Sequence, residues 1–60
     1  MKAVITTISN RCFLNFFNSK EVYSVKGFDT VRKATNYAKK CGCTLFDSLP
    51  DGISDFEYCN

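Results

Sequence analysis

Residues 30–41, TVRKATNYAKKC, decide how the remainder of the chain is arranged. Their apolar residues recur at intervals of three and four, which is the spacing of one face of an α-helix. The apolar side comprises Val31, Ala34, Tyr37, Ala38 and Cys41, and the polar side comprises Arg32, Lys33, Asn36, Lys39 and Lys40. The pattern predicts an amphipathic helix that packs on other elements through its apolar side.

Both ends of this helix carry sequence signals. Asp29 is a good N-cap, because its carboxylate accepts hydrogen bonds from the free amides of the first turn, and Phe28 before it suits a hydrophobic staple. Lysines in the last turn favour the helix dipole, and Gly42 stands where the chain must turn left-handed. The helix is therefore predicted over residues 30–41.

The segments on either side of the helix have the composition of β-strands. They are rich in β-branched and aromatic residues and are separated by short polar breaks. Three precede the helix, at 3–9 (AVITTIS), 12–17 (CFLNFF) and 21–25 (EVYSV), and two follow it, at 43–49 (CTLFDSL) and 53–59 (ISDFEYC). The turn residues Pro50, Asp51 and Gly52 separate the last two segments, which predicts a second hairpin.

The predicted fold class is α+β, with the element order β-β-β-α-β-β. All strands are expected in one small antiparallel sheet, with the helix packed on one face of it. A single helix cannot cover both faces, so some aromatic residues are expected on the open side. The predicted core consists of Val4, Ile8, Leu14, Phe16, Val22, Val31, Ala34, Ala38, Leu45 and Phe56.

The length of the chain limits what it can contain. Sixty residues make one domain, 1–60, and a chain of this size buries only about 60% of the surface that its unfolded form exposes. A deep small-molecule pocket is not expected, and no cofactor is predicted. The opening residues lack the apolar region of a signal peptide, and no stretch reaches the roughly 20 apolar residues that span a bilayer. We therefore expect a cytoplasmic protein with no membrane partner.

The four cysteines, Cys12, Cys41, Cys43 and Cys59, have two interpretations. In a reducing cytosol they are expected to remain thiols that fill space in strands and at the helix end. The alternative is a four-thiolate zinc site. Structural zinc sites usually present paired C-x-x-C knuckles, whereas this chain has one C-x-C pair and two isolated cysteines, so packing is the predicted role.

The residue types that most catalytic mechanisms need are scarce. Histidine, the commonest general base and metal ligand, is absent. Without it, only Lys39 or Lys40 stands near Cys41 to assist a thiolate nucleophile, and the same lysines are expected simply to complement the helix dipole. The carboxylates match no calcium-binding loop and the glycines match no phosphate-binding loop. The sequence therefore predicts a binding protein and not an enzyme.

Charge is divided unevenly along the chain. Residues 1–42 hold all eight basic residues and two acidic ones, giving +6, whereas residues 43–60 hold four acidic residues and no basic one, giving −4. Unless these are ordinary solvated faces, such asymmetry steers association, and an acidic hairpin bearing Phe46, Phe56 and Tyr58 suits a basic groove that binds nucleic acid. The predicted partner-binding residues are Arg32, Lys33, Asn36, Asp47, Asp51, Asp55, Glu57 and Tyr58.

The basic side of the helix gives a second interpretation. Its cations are suited to phosphates, with sheet aromatics stacking on bases as in single-strand binders. An acidic hairpin in so small a domain would repel the same polyanion, and the isoelectric point of about 8.4 is below the value of about 9 that is typical of nucleic-acid modules. Direct binding of nucleic acid is therefore the alternative prediction.

Short matches along the chain carry a family resemblance. In order they are an apolar opening after Met1, Lys20-Glu21-Val22 at a strand start, Lys26, Asp29, Val31, Ala34-Thr35, Tyr37-Ala38, and an acidic, cysteine-bearing end at Glu57-Tyr58-Cys59. In these matches and in its length the chain resembles the Dmd family of T-even bacteriophage antitoxins, which counter the RnlA and LsoA endoribonuclease toxins of the host.

The resemblance implies inhibition by occlusion. Such an antitoxin wedges into a groove of the toxin, covers the active site and keeps RNA out, which protects phage mRNA in the cytoplasm of the infected bacterium. It implies a monomer that binds the toxin one-to-one. The family's aromatic and amide helix positions fall near Arg32 or Lys33 and near Cys41, so those contacts are not transferred. A different host-takeover inhibitor, such as an anti-CRISPR or anti-polymerase factor, fits the same physics.

Overall fold

The structure of the protein is a computed structural model, in which residues 1–55 are described. Its elements, in chain order, are strand β1 (Lys2–Ile8), strand β2 (Arg11–Phe17), strand β3 (Val22–Phe28), helix α1 (Val31–Lys40) and strand β4 (Thr44–Phe46). The predictions for Phe56, Glu57, Tyr58 and Cys59, and most of the last predicted strand, lie outside the described residues.

The four strands form one sheet in the order β3-β2-β1-β4. The β1–β2 and β2–β3 pairs are antiparallel, whereas β4 pairs with β1 in parallel. The predicted antiparallel sheet with the order β-β-β-α-β-β is therefore wrong: the sheet is mixed, and the described elements follow the order β-β-β-α-β. The helix explains the difference, because α1 carries the chain back along the sheet and the next strand must then run in the direction of β3 and β1.

The chain after β4 does not form the predicted hairpin within the described residues. Ser54 instead makes an isolated parallel bridge with Glu21, at the start of β3. The Val22 amide donates to the Ser54 carbonyl at 2.9 Å, and the Ser54 amide donates to the Lys20 carbonyl at 3.0 Å. Because β4 and β3 are the two edges of the sheet, residues 47–53 cross its whole width.

The N-cap and the first residue of helix α1 each lie one residue later than predicted. Thr30, not Asp29, is the N-cap: its backbone is extended and its hydroxyl accepts a hydrogen bond from the Lys33 amide at 3.2 Å. Asp29 instead forms an exposed ion pair with the Lys33 ammonium at 3.6 Å. At the other end, the left-handed turn predicted at Gly42 is confirmed by its φ of +74°.

The first face of the sheet is covered by α1. Leu14 and Phe16 of β2 pack with Ala3 of β1 and Ala38 of the helix, and all four are buried. The small side chains of Ala3 and Ala38 leave room for the helix to lie close to the strands. Phe28 closes one side of this cluster, with its ring centroid 5.4 Å from that of Tyr37.

The second face is covered by the crossing residues 47–53. Val4, Phe17 and Val22 are buried there, and the segment contributes Leu49 and Ile53 to the same cluster. Val25 and Phe46 complete it, and the Phe17 and Phe46 rings meet edge to face with centroids 5.2 Å apart. The face that was expected to be open is therefore covered in part by a segment without regular structure. This segment shields the apolar residues of the second face, as α1 shields those of the first.

One polar side chain is buried in the central strand. Asn15 is only 1% exposed, and its amide nitrogen lies 3.0 Å from the Val4 carbonyl oxygen and 3.1 Å from both the Thr6 hydroxyl and the Phe13 carbonyl. A buried amide without such partners would be strongly destabilising. Its hydrogen bonds tie β2 to β1 and fix the register of the two strands.

The core predictions are confirmed for six residues and wrong for three of those that the structure describes. The buried predicted residues are Val4, Leu14, Phe16, Val22, Ala34 and Ala38. The prediction is wrong for Ile8, Val31 and Leu45, which are 38%, 50% and 36% exposed. Ile8 ends β1, Val31 begins α1 and Leu45 lies on an edge strand, so each lacks neighbours on one side. Ala3, Asn15 and Phe17 are buried although the predicted core did not include them, and Cys12, whose thiol was expected to fill space in a strand, is also buried.

We predict that Asn15→Ala lowers the free energy of unfolding by about 2 kcal/mol, because it removes buried hydrogen bonds and leaves the Val4 carbonyl without this donor. Urea denaturation followed by circular dichroism measures the change. Asn36→Ala, at an exposed helix position, is the matched control and should change the free energy by about 0.5 kcal/mol or less. Equal effects of the two substitutions would contradict the role of Asn15.

The helix cap gives a second prediction. Thr30→Ala should destabilise the protein by about 1 kcal/mol, because the Lys33 amide loses its acceptor. Asp29→Ala should have a smaller effect, since an ion pair between two exposed side chains contributes little. Thermal and urea unfolding of the two variants distinguish the cap residues, and a larger loss for Asp29→Ala would restore Asp29 as the N-cap.

Candidate partner-binding surfaces

Helix α1 presents its polar residues on the side away from the sheet. Ala34 and Ala38 are fully buried and therefore fix the rotation of the helix about its axis. The opposite side is exposed along its whole length and consists of Arg32, Lys33, Asn36, Lys39 and Lys40, which we call the basic helix surface. The structure thus brings together the three helix residues predicted to bind a partner, namely Arg32, Lys33 and Asn36.

The charge of the basic helix surface is modified at its edges. The ion pair with Asp29 partly offsets the charge of Lys33 at the first turn. Lys26 of β3 adds a cation near the last turns, because its ammonium lies 5.2 Å from the centroid of the Tyr37 ring. Lys26 was not predicted as a site residue. The sequence did contain a signal for its position: Lys26 is two residues from Phe28, so the two side chains lie on the same face of β3, the face covered by the helix.

The acidic residues lie on the crossing segment, which we define as residues 47–55 and name the acidic crossing segment. Asp47, Asp51 and Asp55 are exposed. Leu49 and Ile53, which alternate with them along the chain, pack against the sheet. The segment therefore has an apolar underside and carries its carboxylates outside the packed layer.

The acidic crossing segment spreads its carboxylates across the sheet. Asp47 follows β4 at one edge, and Asp55 follows the bridge of Ser54 with Glu21 at the other edge. Three strand spacings separate these edges, which is a distance of about 14 Å. The result is a broad negative surface and not a compact cluster of the kind that binds a metal ion.

The sheet separates the acidic crossing segment from the basic helix surface. The predicted partner-binding residues therefore do not form one continuous patch: Arg32, Lys33 and Asn36 lie on one side, and Asp47, Asp51 and Asp55 belong to the other. Even the shortest extent of the Cα trace, 17 Å, is about twice the Debye length of ~8 Å at physiological salt. In solution the two surfaces present different charges to different partners, or to different parts of one partner.

Phe46 does not serve as an exposed anchor. It was expected among the carboxylates, but its ring packs edge-on against Phe17 and lies within the second-face cluster. An aromatic ring that already contributes to the core is not free to enter a partner's groove. Among the described residues, Tyr23 at the irregular β2–β3 pairing is a large side chain that is half exposed.

A smaller polar cluster lies at the C-terminal end of α1. The pKa of Tyr37 is raised above its ordinary value of 10.0, first because the hydroxyl is hydrogen-bonded to the Cys41 side chain and is further affected by the charge that Cys41 acquires on ionisation. Desolvation and the nearby Cys43 act in the same direction. Both thiols of the C-x-C pair therefore influence the ionisation of Tyr37.

Within residues 1–55, no three cysteine, histidine, aspartate or glutamate side chains come together as a possible metal site. The alternative of a four-thiolate zinc site also requires Cys59, which lies beyond the described part of the chain.

In the same part of the chain, no helix has the length and apolar character needed to cross a bilayer.

Comparison with known proteins adds no relative: no family model matches the chain, and no curated protein or solved structure is significantly similar to it. The chemistry of the two surfaces must therefore be judged from their residues.

We predict that Cys41→Ala lowers the pKa of Tyr37 towards the ordinary tyrosine value, because the hydrogen bond and the thiolate charge that raise it are lost. Phenolate absorbance followed against pH measures the change, in a background with Tyr23→Phe and Tyr58→Phe so that one tyrosine titrates. Cys12→Ala, which changes a buried thiol on β2, should leave the midpoint where it is. An unchanged midpoint in Cys41→Ala would show that the two side chains do not interact.

Proposed function

We propose that this protein is an inhibitor that binds a bacterial endoribonuclease and occludes its RNA-binding groove. The observation that carries the proposal is the acidic crossing segment, which holds Asp47, Asp51 and Asp55 exposed on one side of the molecule, apart from the basic helix surface. A groove that binds RNA is lined with cations to neutralise phosphates. A broad surface of carboxylates competes for those cations.

The separation of charge assists such binding. Complementary potentials accelerate the encounter and select the orientation in which two surfaces meet. Half of the basic residues lie on α1, and a basic groove repels that side of the molecule. The same groove attracts Asp47, Asp51 and Asp55 beyond the opposite face, onto which strand alternation also places Lys2 and Arg11. The inhibitor would therefore dock with the acidic crossing segment towards the groove and α1 directed to solvent.

The acidic crossing segment is also held in place before binding. Leu49 and Ile53 anchor it to the second-face cluster, and the two hydrogen bonds of Ser54 attach it to the start of β3. A segment that is already ordered loses less conformational entropy on binding than a free loop. This anchoring suits a rigid wedge better than a flexible tail.

The resemblance to the Dmd antitoxins supports a specific partner, an endoribonuclease toxin of the RnlA or LsoA type. On this proposal the protein acts as a monomer, binds the toxin one-to-one in the cytoplasm of an infected bacterium, and protects phage mRNA from degradation. Occlusion requires no catalytic group in the inhibitor. Glu57 and Tyr58 stay in the proposed interface as residues outside the described part of the chain.

Co-expression tests this proposal directly. Cells that produce RnlA or LsoA should survive when they also produce this chain, and the toxin should co-purify with it in equimolar amounts. Occlusion would be contradicted if the cells survived but the toxin did not co-purify. It would also be contradicted if neither survival nor co-purification were observed with either toxin. Capture of an unrelated host protein in place of a toxin would instead favour another host-takeover inhibitor.

Direct binding of nucleic acid is the second candidate, and the basic helix surface is the observation that favours it. Arg32, Lys39 and Lys40 are exposed on one side of α1, and Lys26 extends the same charge onto β3. A gel shift with single-stranded RNA at low salt tests this candidate. Binding that falls steeply with salt would support it, because the neutralisation of phosphates releases counterions.

For the proposed inhibitor, we predict that the double substitution Asp47→Asn and Asp51→Asn, which removes two negative charges, slows association with the toxin by roughly threefold or more at low salt. The association rate constant should also depend less strongly on salt concentration. Asparagine preserves side-chain shape and is equally suited to the turn before Gly52. Stopped-flow or surface-plasmon measurements at several salt concentrations give the rate constants.

Arg32→Gln and Lys39→Gln together form the matched control, since they change the same number of charges on the opposite side of the sheet and keep good helix formers. This control should leave the association rate constant unchanged or slightly raise it. A larger slowing by the control than by the aspartate variant would assign the interface to the basic helix surface.

A further inference from the structure

The C-terminal end of α1 carries two thiols that the proposed function does not use. Cys41 is the C-cap residue and is exposed, whereas Cys43 is half-buried and packs against the cluster on the helix side of the sheet. Gly42 between them has a φ of +74°, and a Cβ built on it would meet nothing within 4 Å. The pair thus stands at an open, tightly turned end of the helix.

We propose that Cys41 and Cys43 form a dithiol site that exchanges with small disulfides of the glutathione type, closing reversibly to a Cys41–Cys43 disulfide. The proposal rests on the placement of the two residues around Gly42 and on their unequal exposure. It is independent of the proposed inhibition of a ribonuclease.

The backbone keeps the two thiols close to each other. Two trans peptide units separate their Cα atoms, which limits the distance to about 7 Å in an extended chain. The turn at Gly42 shortens it, and hydrogen bonds hold that turn: the Gly42 amide donates to the Lys39 carbonyl at 3.1 Å and the Cys43 amide donates to the Ala38 carbonyl at 2.9 Å. Disulfides usually join Cα atoms about 4.4–6.8 Å apart.

Tyr37 is a neighbour of both cysteines. The pKa of its hydroxyl is raised by a side-chain hydrogen bond with Cys41, by the charge of Cys41 and, to a smaller extent, by the charge of Cys43. Cys43 and Tyr37 also pack against one cluster. Cys41 and Cys43 therefore share Tyr37 as a neighbour.

Exposure assigns a different role to each thiol. Cys41 is accessible to a disulfide in solution, and the adjacent Lys39 and Lys40 attract an anionic reagent such as glutathione disulfide. Cys43 is partly covered and so reacts more slowly with an external reagent, but it lies next to any adduct that forms on Cys41. Cys12, buried on β2, is accessible to neither step.

The reaction balances without any further oxidant. The Cys41 thiolate attacks one sulfur of glutathione disulfide, forms a mixed disulfide and releases one glutathione thiolate, which takes up the proton that Cys41 gave to solvent. The Cys43 thiolate then attacks the Cys41 sulfur and releases the second glutathione. Two protein thiols are oxidised to one disulfide, and one glutathione disulfide is reduced to two thiols. A ring closed over a single residue is strained, so excess reduced glutathione reopens it.

The test uses the full chain with Cys59→Ser, which removes the thiol outside the described residues as a competitor. The folded protein is incubated with glutathione disulfide, quenched by alkylation and analysed by intact mass and peptide mapping. We expect a product that is lighter by two hydrogens, with the bond between Cys41 and Cys43 and with Cys12 unmodified. Added reduced glutathione should restore the starting mass.

Two variants separate the roles of the thiols. Cys43→Ser should accumulate the mixed disulfide on Cys41, because no resolving thiol remains. Cys41→Ser should react about tenfold more slowly, because the remaining thiol of the pair is partly covered. Circular dichroism confirms that each variant is folded, and an unmodified Cys12 confirms that the reaction occurs in the folded state.

Three outcomes would overturn the proposal. They are a mixed disulfide that persists equally in the parent and in Cys43→Ser, equal rates for Cys41→Ser and Cys43→Ser, and no reaction of the folded parent.

A titration of Tyr37 provides an independent check. Closure removes both ionisable thiols, so the pKa of Tyr37 should fall towards its ordinary value in the oxidised protein, with the other two tyrosines replaced by phenylalanine.

Discussion

The central strand β2 is buried on both faces of the sheet, and the remainder of the fold follows from this constraint. Residues 14–17 are all buried although consecutive side chains of a strand point in opposite directions. Leu14 and Phe16 require an apolar cover on one face, and Phe17 requires one on the other. Asn15 is buried on that second face because its amide is hydrogen-bonded to β1. Helix α1 provides the first cover. The second is provided by residues 47–53, whose Leu49 and Ile53 pack against that face.

This arrangement determines where charge can lie. Each cover is apolar underneath and charged outside, so the basic helix surface and the acidic crossing segment are separated by the sheet. The parallel pairing of β4 with β1 contributes to this arrangement, because it places the end of β4 at the edge of the sheet from which the chain crosses the second face. The proposed occlusion of a ribonuclease uses the outer side of that crossing segment, and the proposed dithiol site lies at the turn that leads from α1 into β4.

Local patterns predicted the parts of the fold that depend on local physics. The helical period of residues 30–41 and the turn at Gly42 depend on neighbours in sequence, and both are observed. The direction of β4 depends on which strand it meets, and nothing in its three residues encodes that choice. The sequence predicted a hairpin turn at residues 50–52. In the structure these residues lie within the segment that crosses the second face of the sheet. The same limit applies to the site: the charges were visible in the sequence, but their placement on opposite sides was not.

Nuclear Overhauser contacts between methyl groups show whether residues 47–53 cover the second face of the sheet. Cross-peaks are expected from the Leu49 and Ile53 methyl groups to those of Val4 and Val22, which lie on that face. An antiparallel hairpin of residues 43–49 with residues 53–59 predicts instead cross-strand contacts between those two segments. Observation of that pattern, with no cross-peak to Val4 or Val22, would contradict the covered second face.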